Sequence, residues 1–355
     1  MKTHRIAVIS GDGVGPEVVA QGLRVLRAAA ERFGFAVETR EHPFGTGHWL
    51  ATQEIFPDAA FEEVKRADAI LVGAIGDPRA PVGLLERGII GRLRWDLDLY
   101  VNLRPIRLLD ARFCPLKGKG PADVDMLVVR ENTEDVYVQA PEFIAQGTPD
   151  EVASQPMRYT RKGTERIVRY AFERARARPR RNLTLVDKAN AVRAQDIYTR
   201  VFAEVGKEYP DVKSGHLYVD AACMRMVDAP ESLDVIVTTN LFGDILTDLG
   251  AMLQGGMGVA ASANLHPGQR GLFESVHGSF PQAAGKGIAN PIATIEAVRM
   301  MLEWLGEKEA AAAIEGAVAR TLTTRVTSLA VGAHRTGELG DMVLEELGAA
   351  APARA

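Results

Sequence analysis

The chain has 355 residues, of which 46% are hydrophobic and 25% charged, a composition typical of a globular protein long enough for two domains. The formal net charge of −4 gives no reason to expect nucleic acid or a membrane surface as a partner. Its two cysteines, Cys114 and Cys223, form no C-x-x-C pair and its seven histidines no H-E-x-x-H motif, which argues against a disulfide framework and zinc chemistry. With no signal peptide and no membrane-spanning apolar run in the sequence, we expect a cytoplasmic protein.

Strand-like and helix-like segments alternate in the N-terminal third. The first pair is a short apolar strand, Arg5–Ser10, and a helix over about Pro16–Phe33. A strand-like segment, Ala36–Glu41, a helix-like one, Phe61–Arg66, and a buried strand, Ala69–Val72, follow. This βαβ rhythm predicts an α/β fold with a mainly parallel central sheet.

The rest of the chain continues this alternation. The predicted strands are Met126–Val129, Leu183–Val186 and Val235–Thr239. The predicted helices are Lys162–Ala177, the helix that contains Asp244, Ile292–Leu305 and Glu307–Leu322. Between them, the polar, Pro-containing stretch Pro141–Gln155 is predicted to be an arm or a loop.

Two acidic residues lie four apart directly after the predicted buried strand Val235–Thr239. Asp244 and Asp248 begin a helix-like pattern, so their carboxylates face the same side. Two unpaired acids beside an apolar helix are costly to desolvate, and a hard divalent cation would offset that cost. An ordinary acidic first turn, favoured by the helix dipole, is the alternative.

A glycine-rich turn, Gly11–Pro16, connects the first predicted strand to the first helix. Pro16 stands where a Rossmann fingerprint needs its last glycine, so we reject that motif. The turn still allows close backbone approach before a helix start, where an anion could bind, although a turn alone needs no ligand.

Eight segments in order along the chain resemble the β-decarboxylating dehydrogenases, the family of isocitrate, 3-isopropylmalate, homoisocitrate and D-malate/tartrate dehydrogenases. They are Gly11–Val18, Leu99–Pro105, Val129–Tyr137, Asp187–Asn190, Asp220–Met224, Asn240–Asp248, Glu274–Pro281 and Gly285–Pro291. Each motif is weak alone, but the ordered set covers the chain from residue 6 to about 305.

The resemblance implies oxidation of a 2-hydroxy acid by a nicotinamide cofactor, followed by loss of the carboxylate β to the new ketone. Asp220, Asp244 and Asp248 match the family's Mg2+ or Mn2+ ligands, all oxygen donors as a hard cation requires. Lys188 and Tyr137 match its proton-transfer pair. In this family Lys188 and Asp220 complete the active site of the neighbouring subunit, so the resemblance also implies a homodimer.

Further positions match the family's substrate-binding and cofactor-binding residues. The predicted binders of the malate carboxylates are Arg94, Arg104 and Arg130. The residues that match the adenosine-binding loop are Glu274, His277, Gly278, Ser279, Ala289 and Asn290. NAD-using relatives usually have Asp where this chain has Gln282, and Phe280 replaces a small residue. We predict NAD as the cofactor, with dual use of NADP open.

In members of the family, the segment that corresponds to Arg87–Arg92, just before Arg94, contacts the group on C3 of the malate. Ile90 stands where isocitrate enzymes have Asn, and it cannot hydrogen-bond a third carboxylate. We therefore predict a 3-alkyl substrate such as 3-isopropylmalate. D-malate, tartrate, isocitrate and homoisocitrate remain alternatives, because Val129–Tyr137 looks more like the isocitrate, homoisocitrate and tartrate branches and an inward-turned Arg87 or Arg92 would supply a cation for a third carboxylate.

The resemblance also implies a two-domain isopropylmalate dehydrogenase-like fold with the active site in the cleft between the domains. We predict a large cofactor domain from residues 1–100 and 258–355, and a small domain with the dimer contacts and metal ligands from residues 101–257. A silent regulatory subunit is the rival from a different functional class, and the intact Tyr137, Lys188 and aspartates argue against it. An ordinary Rossmann dehydrogenase is disfavoured by Pro16.

Overall fold

The computed structural model describes residues 2–349. In this range the strands are β1 (Thr3–Gly11), β2 (Ala36–Glu41), β3 (Ala69–Ala74), β4 (Val101–Arg107), β5 (Asp125–Glu131), β6 (Glu142–Ile144), β7 (Val152–Ser154), β8 (Asn182–Asp187), β9 (Lys213–Tyr218), β10 (Val235–Thr238), β11 (Ala261–His266) and β12 (Arg270–Ser275). The α-helices are α1 (Gly15–Phe33), α2 (Thr46–Thr52), α3 (Asp58–Val64), α4 (Arg92–Asp96), α5 (Arg161–Arg176), α6 (Asp196–Gly206), α7 (Val219–Asp228), α8 (Asn240–Leu253), α9 (Ile292–Trp304), α10 (Lys308–Arg320) and α11 (Thr336–Ala349).

The chain forms two compact units. Unit 1 contains residues 2–99, 107–121 and 251–349, and unit 2 contains residues 100–106 and 122–250. The domain limits proposed from the sequence stay a prediction. The compact units differ from those limits in placing residues 107–121 in unit 1 and in starting its last segment at Ala251.

Unit 1 is built on strands in the order β2-β1-β3-β12-β11. The pairs β1–β2, β1–β3 and β3–β12 are parallel, whereas β11 and β12 form an antiparallel pair. Every residue of β3 is buried, which explains its unbroken apolar sequence Ala-Ile-Leu-Val-Gly-Ala. The predicted α/β class and its mainly parallel strands are confirmed.

Helix α1 packs one apolar side on this sheet. Its buried residues recur at helical spacing from Val18 to Ala30, and each fully buried large aliphatic side chain stabilises the fold by about 1.5–3 kcal/mol. Pro16 occupies the first turn, where its missing N–H costs nothing, and Gly34 ends the helix with a left-handed backbone.

The strands of unit 2 lie in the order β4-β5-β10-β8-β9. Thr238 of β10 is level with Arg130 of β5 and with Val186 of β8 in two parallel pairings. The carboxyl ends of these three strands therefore meet at one edge of the sheet, a position where ligands commonly bind in α/β proteins. Asp187 and Asn240 follow directly at this edge.

The segment predicted as an arm or loop, residues 141–155, contains the two-stranded antiparallel ribbon β6–β7. All six residues of the ribbon strands are exposed, including the apolar Phe143, Ile144 and Val152. A two-stranded ribbon is at best marginally stable in isolation, so further contacts are needed to stabilise it.

Other elements depart from the sequence prediction. The helix expected at Phe61–Arg66 begins three residues earlier, at Asp58, because the extended Pro57 precedes its first turn. Strands β4, β9, β11 and β12 and helices α2, α4, α6, α7 and α11 were not predicted as elements. Cys114 and Cys223 are free thiols. Between residues 2 and 349, no helix is long and apolar enough to cross a membrane.

Candidate active site

The two acidic residues identified from the sequence lie on successive turns at the start of α8. Buried strand β10 leads into this helix through Thr239, and the Asp135 carboxylate accepts a hydrogen bond from Leu241 N at 3.0 Å. That bond satisfies one of the free N–H groups at the helix start. The side chains of Asp244 and Asp248 are 40% and 58% exposed, so both face solvent.

Two buried arginines face these acids from neighbouring strands. Arg130, only 1% exposed on β5, donates to Asp244 Oδ1 at 2.5 Å and to the side-chain oxygen of Asn240 at 2.7 and 3.1 Å. Arg104 on β4 donates to Thr247 Oγ1 at 2.5 Å and lies 3.5 Å from Asp244 Oδ1. Both guanidinium groups are thus fixed by several bonds.

A glycine makes this arrangement possible. Any Cβ at Gly243 would collide with the side-chain carbons of Arg130, which crosses α8 at this point. Only glycine leaves the arginine room to reach Asp244.

Tyr137 completes this group, which we call the Asp244 cluster. Its hydroxyl donates to Asp244 Oδ2 at 2.9 Å, and its ring lies 5.4 Å from the Arg130 guanidinium carbon. The cluster contains Arg104, Arg130, Tyr137, Asp244 and Asp248. All five were predicted from the sequence as site residues.

The acids of the cluster repel each other despite the arginines. Burial, followed by the negative charge of Asp244, raises the pKa of Asp248, while Arg104 and Arg130 lower it in part. Asp248 therefore retains an unfavourable ionised state that an additional positive charge would relieve.

Lys188 and Asp220 form a second group in unit 2. The Lys188 ammonium, just past the end of β8, donates to Asp220 Oδ1 at the start of α7. This hydrogen bond lowers the pKa of Asp220. No group of three or more His, Cys, Asp or Glu side chains suited to a metal occurs within residues 2–349, so the structure does not bring Asp220 together with Asp244 and Asp248 inside one chain.

In unit 1, a predicted substrate residue pairs with a predicted cofactor residue. Arg94 donates to Glu274 Oε1 at 2.8 Å, and Asn264 donates to the same oxygen at 2.7 Å. Glu274 is only 8% exposed. This glutamate therefore acts in the structure as the partner that orients Arg94.

Unit 1 also contains a cavity of about 660 Å³. Predicted cofactor residues line it, namely His277, Gly278, Ala289 and Asn290. Apolar side chains form much of the remaining wall: Val14, Phe113, Met257, Phe280, Leu329 and Val331. Ser279 and Gln282 are not among the lining residues, and Gln282 is exposed.

One buried polar atom in the cavity wall has no hydrogen-bond partner among the described residues. His277 Nδ1 lies 2.9 Å from the Gly278 carbonyl, which makes it the donor nitrogen. Its Nε2 is buried and has no hydrogen-bond partner in residues 2–349. Burial lowers the pKa of His277, so the ring is neutral and Nε2 can accept a hydrogen bond from a ligand.

Polar groups of the glycine-rich turn are hydrogen-bonded to other residues of the same chain. The carboxylate of Asp12 accepts hydrogen bonds from Thr46 N at 2.7 Å and Gly76 N at 2.9 Å. The backbone amides of Asp12, Val14 and Gly15 donate to chain carbonyls, that of Val14 to Ser279 O. A Cβ at Gly13 would overlap Ser279 O, so packing explains this glycine, and the structure favours the turn without an anion.

The segment before Arg94 is a π-helical turn, Glu86–Gly91, that runs into α4. Ile90 is partly buried against the apolar core of unit 1. Arg92 donates to the Phe56 carbonyl at 2.5 Å and also pairs with Asp58, while the Arg87 guanidinium lies over the Trp95 ring at 5.3 Å. Arg92 is therefore held by Phe56 and Asp58, whereas Arg87 is exposed and lies over the Trp95 ring.

Sequence reasoning missed several residues that hold the site in place. Asn240 and Thr247 accept hydrogen bonds from the two arginines, and Asp135 anchors the start of α8. Thr247 lies three residues after Asp244 and one before Asp248, so its helical spacing could have indicated this contact. Asp135 lies within the matched segment Val129–Tyr137, but nothing local indicates its partner, which is 106 residues away.

Comparison with known proteins identifies the family. The family model described as isocitrate/isopropylmalate dehydrogenase matches residues 5–343. A 3-isopropylmalate dehydrogenase of Thermobifida fusca is 50% identical over 349 residues, 98% of each chain, and one of Frankia casuarinae is 50% identical over 91% of this chain and 94% of its own. The crystal structure of isocitrate dehydrogenase from Methylococcus capsulatus superposes with a TM-score of 0.88 at 37% identity, covering 97% of this chain and 99% of its own. The predicted family and dehydrogenase class are thus confirmed, and the chain belongs to the isocitrate/isopropylmalate dehydrogenase family.

Proposed function

We propose that the protein catalyses the NAD-linked, metal-dependent oxidative decarboxylation of a 3-alkyl (2R)-malate, with 3-isopropylmalate as the first candidate. The observation that carries this proposal is the Asp244 cluster, in which two acids, a tyrosine and two buried arginines meet at the carboxyl edge of the unit 2 sheet. The names of the 50%-identical relatives support the choice of substrate.

The arginines suit a dicarboxylate substrate. Arg104 and Arg130 are 6% and 1% exposed, so their positions are set by the protein before a substrate arrives. Bidentate guanidinium contacts would hold one carboxylate rigidly and leave the scissile one aligned for cleavage. Substrate contacts by Arg94 and Ile90 of unit 1 remain a prediction.

The donor set of the Asp244 cluster fits a hard divalent cation. Asp244 and Asp248 provide oxygen ligands, and a cation between them would offset the burial and the repulsion from Asp244 that raise the pKa of Asp248. Bound Mg2+ or Mn2+ supplies positive charge beside the substrate oxygen that becomes negative. One chain provides only two of the three predicted ligands as neighbours, because Asp220 is paired with Lys188.

Tyr137 and Lys188 are the proposed proton-transfer groups. The Tyr137 hydroxyl is held by Asp244 in an exposed position from which it can deliver a proton to the substrate carbon. We assign removal of the proton from the substrate hydroxyl to Lys188 Nζ in its neutral amine form, which requires that the ammonium first lose a proton and leave Asp220. The amine then becomes an ammonium again as it accepts the hydroxyl proton.

A second copy of the chain would complete the site. Apolar side chains remain exposed on α7 and α8 beside the predicted ligands: Met224 is 73% exposed, Val227 48% and Ile245 54%. A symmetric homodimer that covers these surfaces would place Lys188 and Asp220 against the neighbour's Asp244 cluster. The exposed ribbon β6–β7 offers further apolar area for such contacts.

The side group of the substrate is inferred from the segment around Ile90. Any side chain at Gly88 would bring its Cβ to 2.6 Å from the Ile55 side chain, so this position has no room for a polar group that could contact a carboxylate. The Phe56 carbonyl and Asp58 already engage Arg92, which disfavours its use for a third carboxylate. These contacts favour an alkyl group, or hydrogen as in D-malate.

NAD is the proposed cofactor, with its adenosine in the cavity of unit 1. The unpartnered His277 Nε2 and the apolar wall suit an adenine ring. Gln282 carries no charge to repel a 2′-phosphate, so use of NADP stays open. A cytoplasmic location remains a prediction from the sequence.

The proposal is tested by measuring NAD and NADP reduction with Mg2+ or Mn2+ across 3-isopropylmalate, D-malate, tartrate, isocitrate and homoisocitrate. We expect the highest kcat/KM with 3-isopropylmalate and NAD, and release of carbon dioxide. Ile90→Ala should lower kcat/KM for 3-isopropylmalate about 10- to 200-fold and affect D-malate, which has no side group, much less. A preference for isocitrate or homoisocitrate would refute the role of Ile90, and inactivity with every substrate would favour a regulatory subunit.

A further inference from the structure

Asp135 has an unusual backbone beside the Asp244 cluster. Its φ of 73° and ψ of −157° lie in a region that side-chain-bearing residues rarely adopt, and the residue is fully buried. Its carboxylate accepts three hydrogen bonds, from Val136 N and Tyr159 OH at 2.8 Å and from Leu241 N at 3.0 Å. Such a backbone persists only where surrounding bonds fix it.

Two of these donors begin the segments that carry the proposed catalytic groups. Val136 opens the short turn that contains Tyr137, and Leu241 belongs to the first turn of α8, three residues before Asp244. A shift of the Asp135 carboxylate would therefore move the two partners of the Tyr137–Asp244 hydrogen bond together.

The third donor extends the network to the other proposed proton-transfer group. The Tyr159 hydroxyl accepts from Gln195 Nε2 at 2.8 Å, and Gln195 Oε1 accepts from Lys188 N at 2.7 Å. Gln195 is fully buried. The backbone of Lys188 is thus connected to Asp135 by three consecutive hydrogen bonds.

The three hydrogen bonds between Lys188 and Asp135 share one donor-to-acceptor direction. Burial, followed by the negative charge of Asp135, raises the pKa of Tyr159, so its hydroxyl stays protonated and donates to the carboxylate. From Lys188 N to the Asp135 carboxylate, each group donates a hydrogen bond to the next. Hydrogen bonds arranged in such a chain polarise and strengthen one another.

We propose that a buried polar relay fixes both the backbone of Lys188, which serves the neighbour's site, and the segments that carry Tyr137 and Asp244 of its own chain's site. The relay thereby couples the two active sites of the dimer. Its members are Asp135, Tyr159 and Gln195. They are positioning residues, because they act through the backbone of the groups that touch the substrate. The inference rests on the proposed function in assigning proton transfer to Lys188 and Tyr137.

The relay differs from another tyrosine–carboxylate pair in the same unit, in which the tyrosine is buried but the carboxylate of Glu173 is exposed. Tyr209, 7% exposed, donates its hydroxyl to Glu173 Oε1 at 2.8 Å and stacks on Phe172. That pair connects α5 to the chain after α6, and neither member was predicted or found at the candidate active site. Tyr209→Phe therefore removes an equivalent hydroxyl without touching the relay.

The test compares Tyr159→Phe with Tyr209→Phe in the full-length protein. For Tyr159→Phe we expect kcat with 3-isopropylmalate to fall about 10- to 100-fold, as displacement of a reacting group by about 1 Å does, while KM stays within about threefold. Hydrogen–deuterium exchange should rise at both relay ends, residues 188–192 and 240–244. Tyr209→Phe should leave kcat and exchange at those two segments unchanged.

A double variant tests whether the relay acts as one unit. Gln195→Met interrupts the same chain of bonds, so Tyr159→Phe combined with Gln195→Met should be no slower than the slower single variant. Multiplied losses in the double variant, or equal kcat for Tyr159→Phe and Tyr209→Phe, would overturn the relay. If the wild-type protein does not oxidise an alkyl-malate, the proposed function fails, and the exchange measurement alone decides the relay: coupled increases at both ends support it, and an increase confined to one end refutes it.

Discussion

The Asp244 cluster of unit 2 consists of charged and hydroxyl-bearing side chains, whereas the cavity of unit 1 is lined mainly by apolar ones. In the cluster, charged and hydroxyl groups satisfy one another, as when Tyr137 and Arg130 both donate to Asp244. The cavity is mainly apolar, and its distinctive polar feature is a single unpartnered nitrogen on His277. The contrast teaches that the cluster is suited to charge development during a reaction, whereas the cavity is suited to holding a largely apolar, uncharged group in place.

The most severe way to break the cluster is Asp244→Asn. The amide keeps an oxygen for Arg130 but loses the charge that a cation needs and offers Tyr137 a poorer acceptor. We expect kcat to fall on the order of 10³-fold, comparable with removal of a group that stabilises transition-state charge, while the fold persists. Excess Mn2+ should restore part of the loss.

Asp341→Asn is the matched control for that change, because Asp341 pairs with Arg24 on the exposed surface of unit 1. It should leave kcat within about twofold, as expected for a surface ion pair. Full activity of Asp244→Asn in metal-free buffer with a chelator would show that the cluster is not the cation site.

A substitution in the cavity should change the affinity for the cofactor rather than the rate of the catalytic step. His277→Leu keeps a similar volume but removes the free Nε2 acceptor. We expect the Kd for NAD, measured by isothermal titration calorimetry, to rise about 2- to 12-fold, since one hydrogen bond contributes about 0.5–1.5 kcal/mol. With saturating NAD, kcat should be close to that of the wild type. An unchanged Kd would separate the cavity from the cofactor.

The smallest effect concerns a buried acid behind the cluster. Burial raises the pKa of Glu131, the neighbour of Arg130, to about 7. The native state therefore binds this proton more tightly than the unfolded state, and its stabilising contribution, present near pH 5, is lost as the pH rises through about 7. Glu131→Gln should reduce this pH dependence of the free energy of unfolding by about 1–3 kcal/mol between pH 5 and 8.

Denaturant titrations at several pH values measure that difference. The variant's free energy of unfolding should change less with pH than that of the wild type, and parallel curves would show that Glu131 ionises as freely in the native state as in the unfolded one.

The fold and part of the site could be predicted from the sequence because the patterns that indicate them involve residues close together in the chain. Buried strands such as β3 are continuous apolar runs, and Asp244 and Asp248 share a helix face at a spacing of four. Strand β9 was missed because its sequence, Lys-Ser-Gly-His-Leu-Tyr, is polar and almost entirely exposed and shows no apolar alternation.

The remaining features depend on contacts between distant parts of the chain. Tyr159 contacts Gln195 across 36 residues, and both lie outside the matched segments. Asp135 contacts Leu241 across 106 residues, and although both lie in matched segments, neither motif indicates that they are partners. The separation of Asp220 from Asp244 and Asp248 within one chain follows the expectation from the family resemblance, which assigned Asp220 and Lys188 to the neighbouring subunit's site. The structure adds the pairing of Asp220 with Lys188.

The central claim, that two copies of the chain complete each active site, is tested most directly by mixing two inactive variants. Asp244→Asn disables the Asp244 cluster of its own chain, and Lys188→Ala removes the group that we assign to the neighbour's site. Refolded together in equal amounts, they should form heterodimers with one intact site each and recover about one quarter of the wild-type activity, the share expected for random pairing in a symmetric dimer. Activity no higher than that of the two separate variants would contradict the account, because both defects would then lie in the same chain's site.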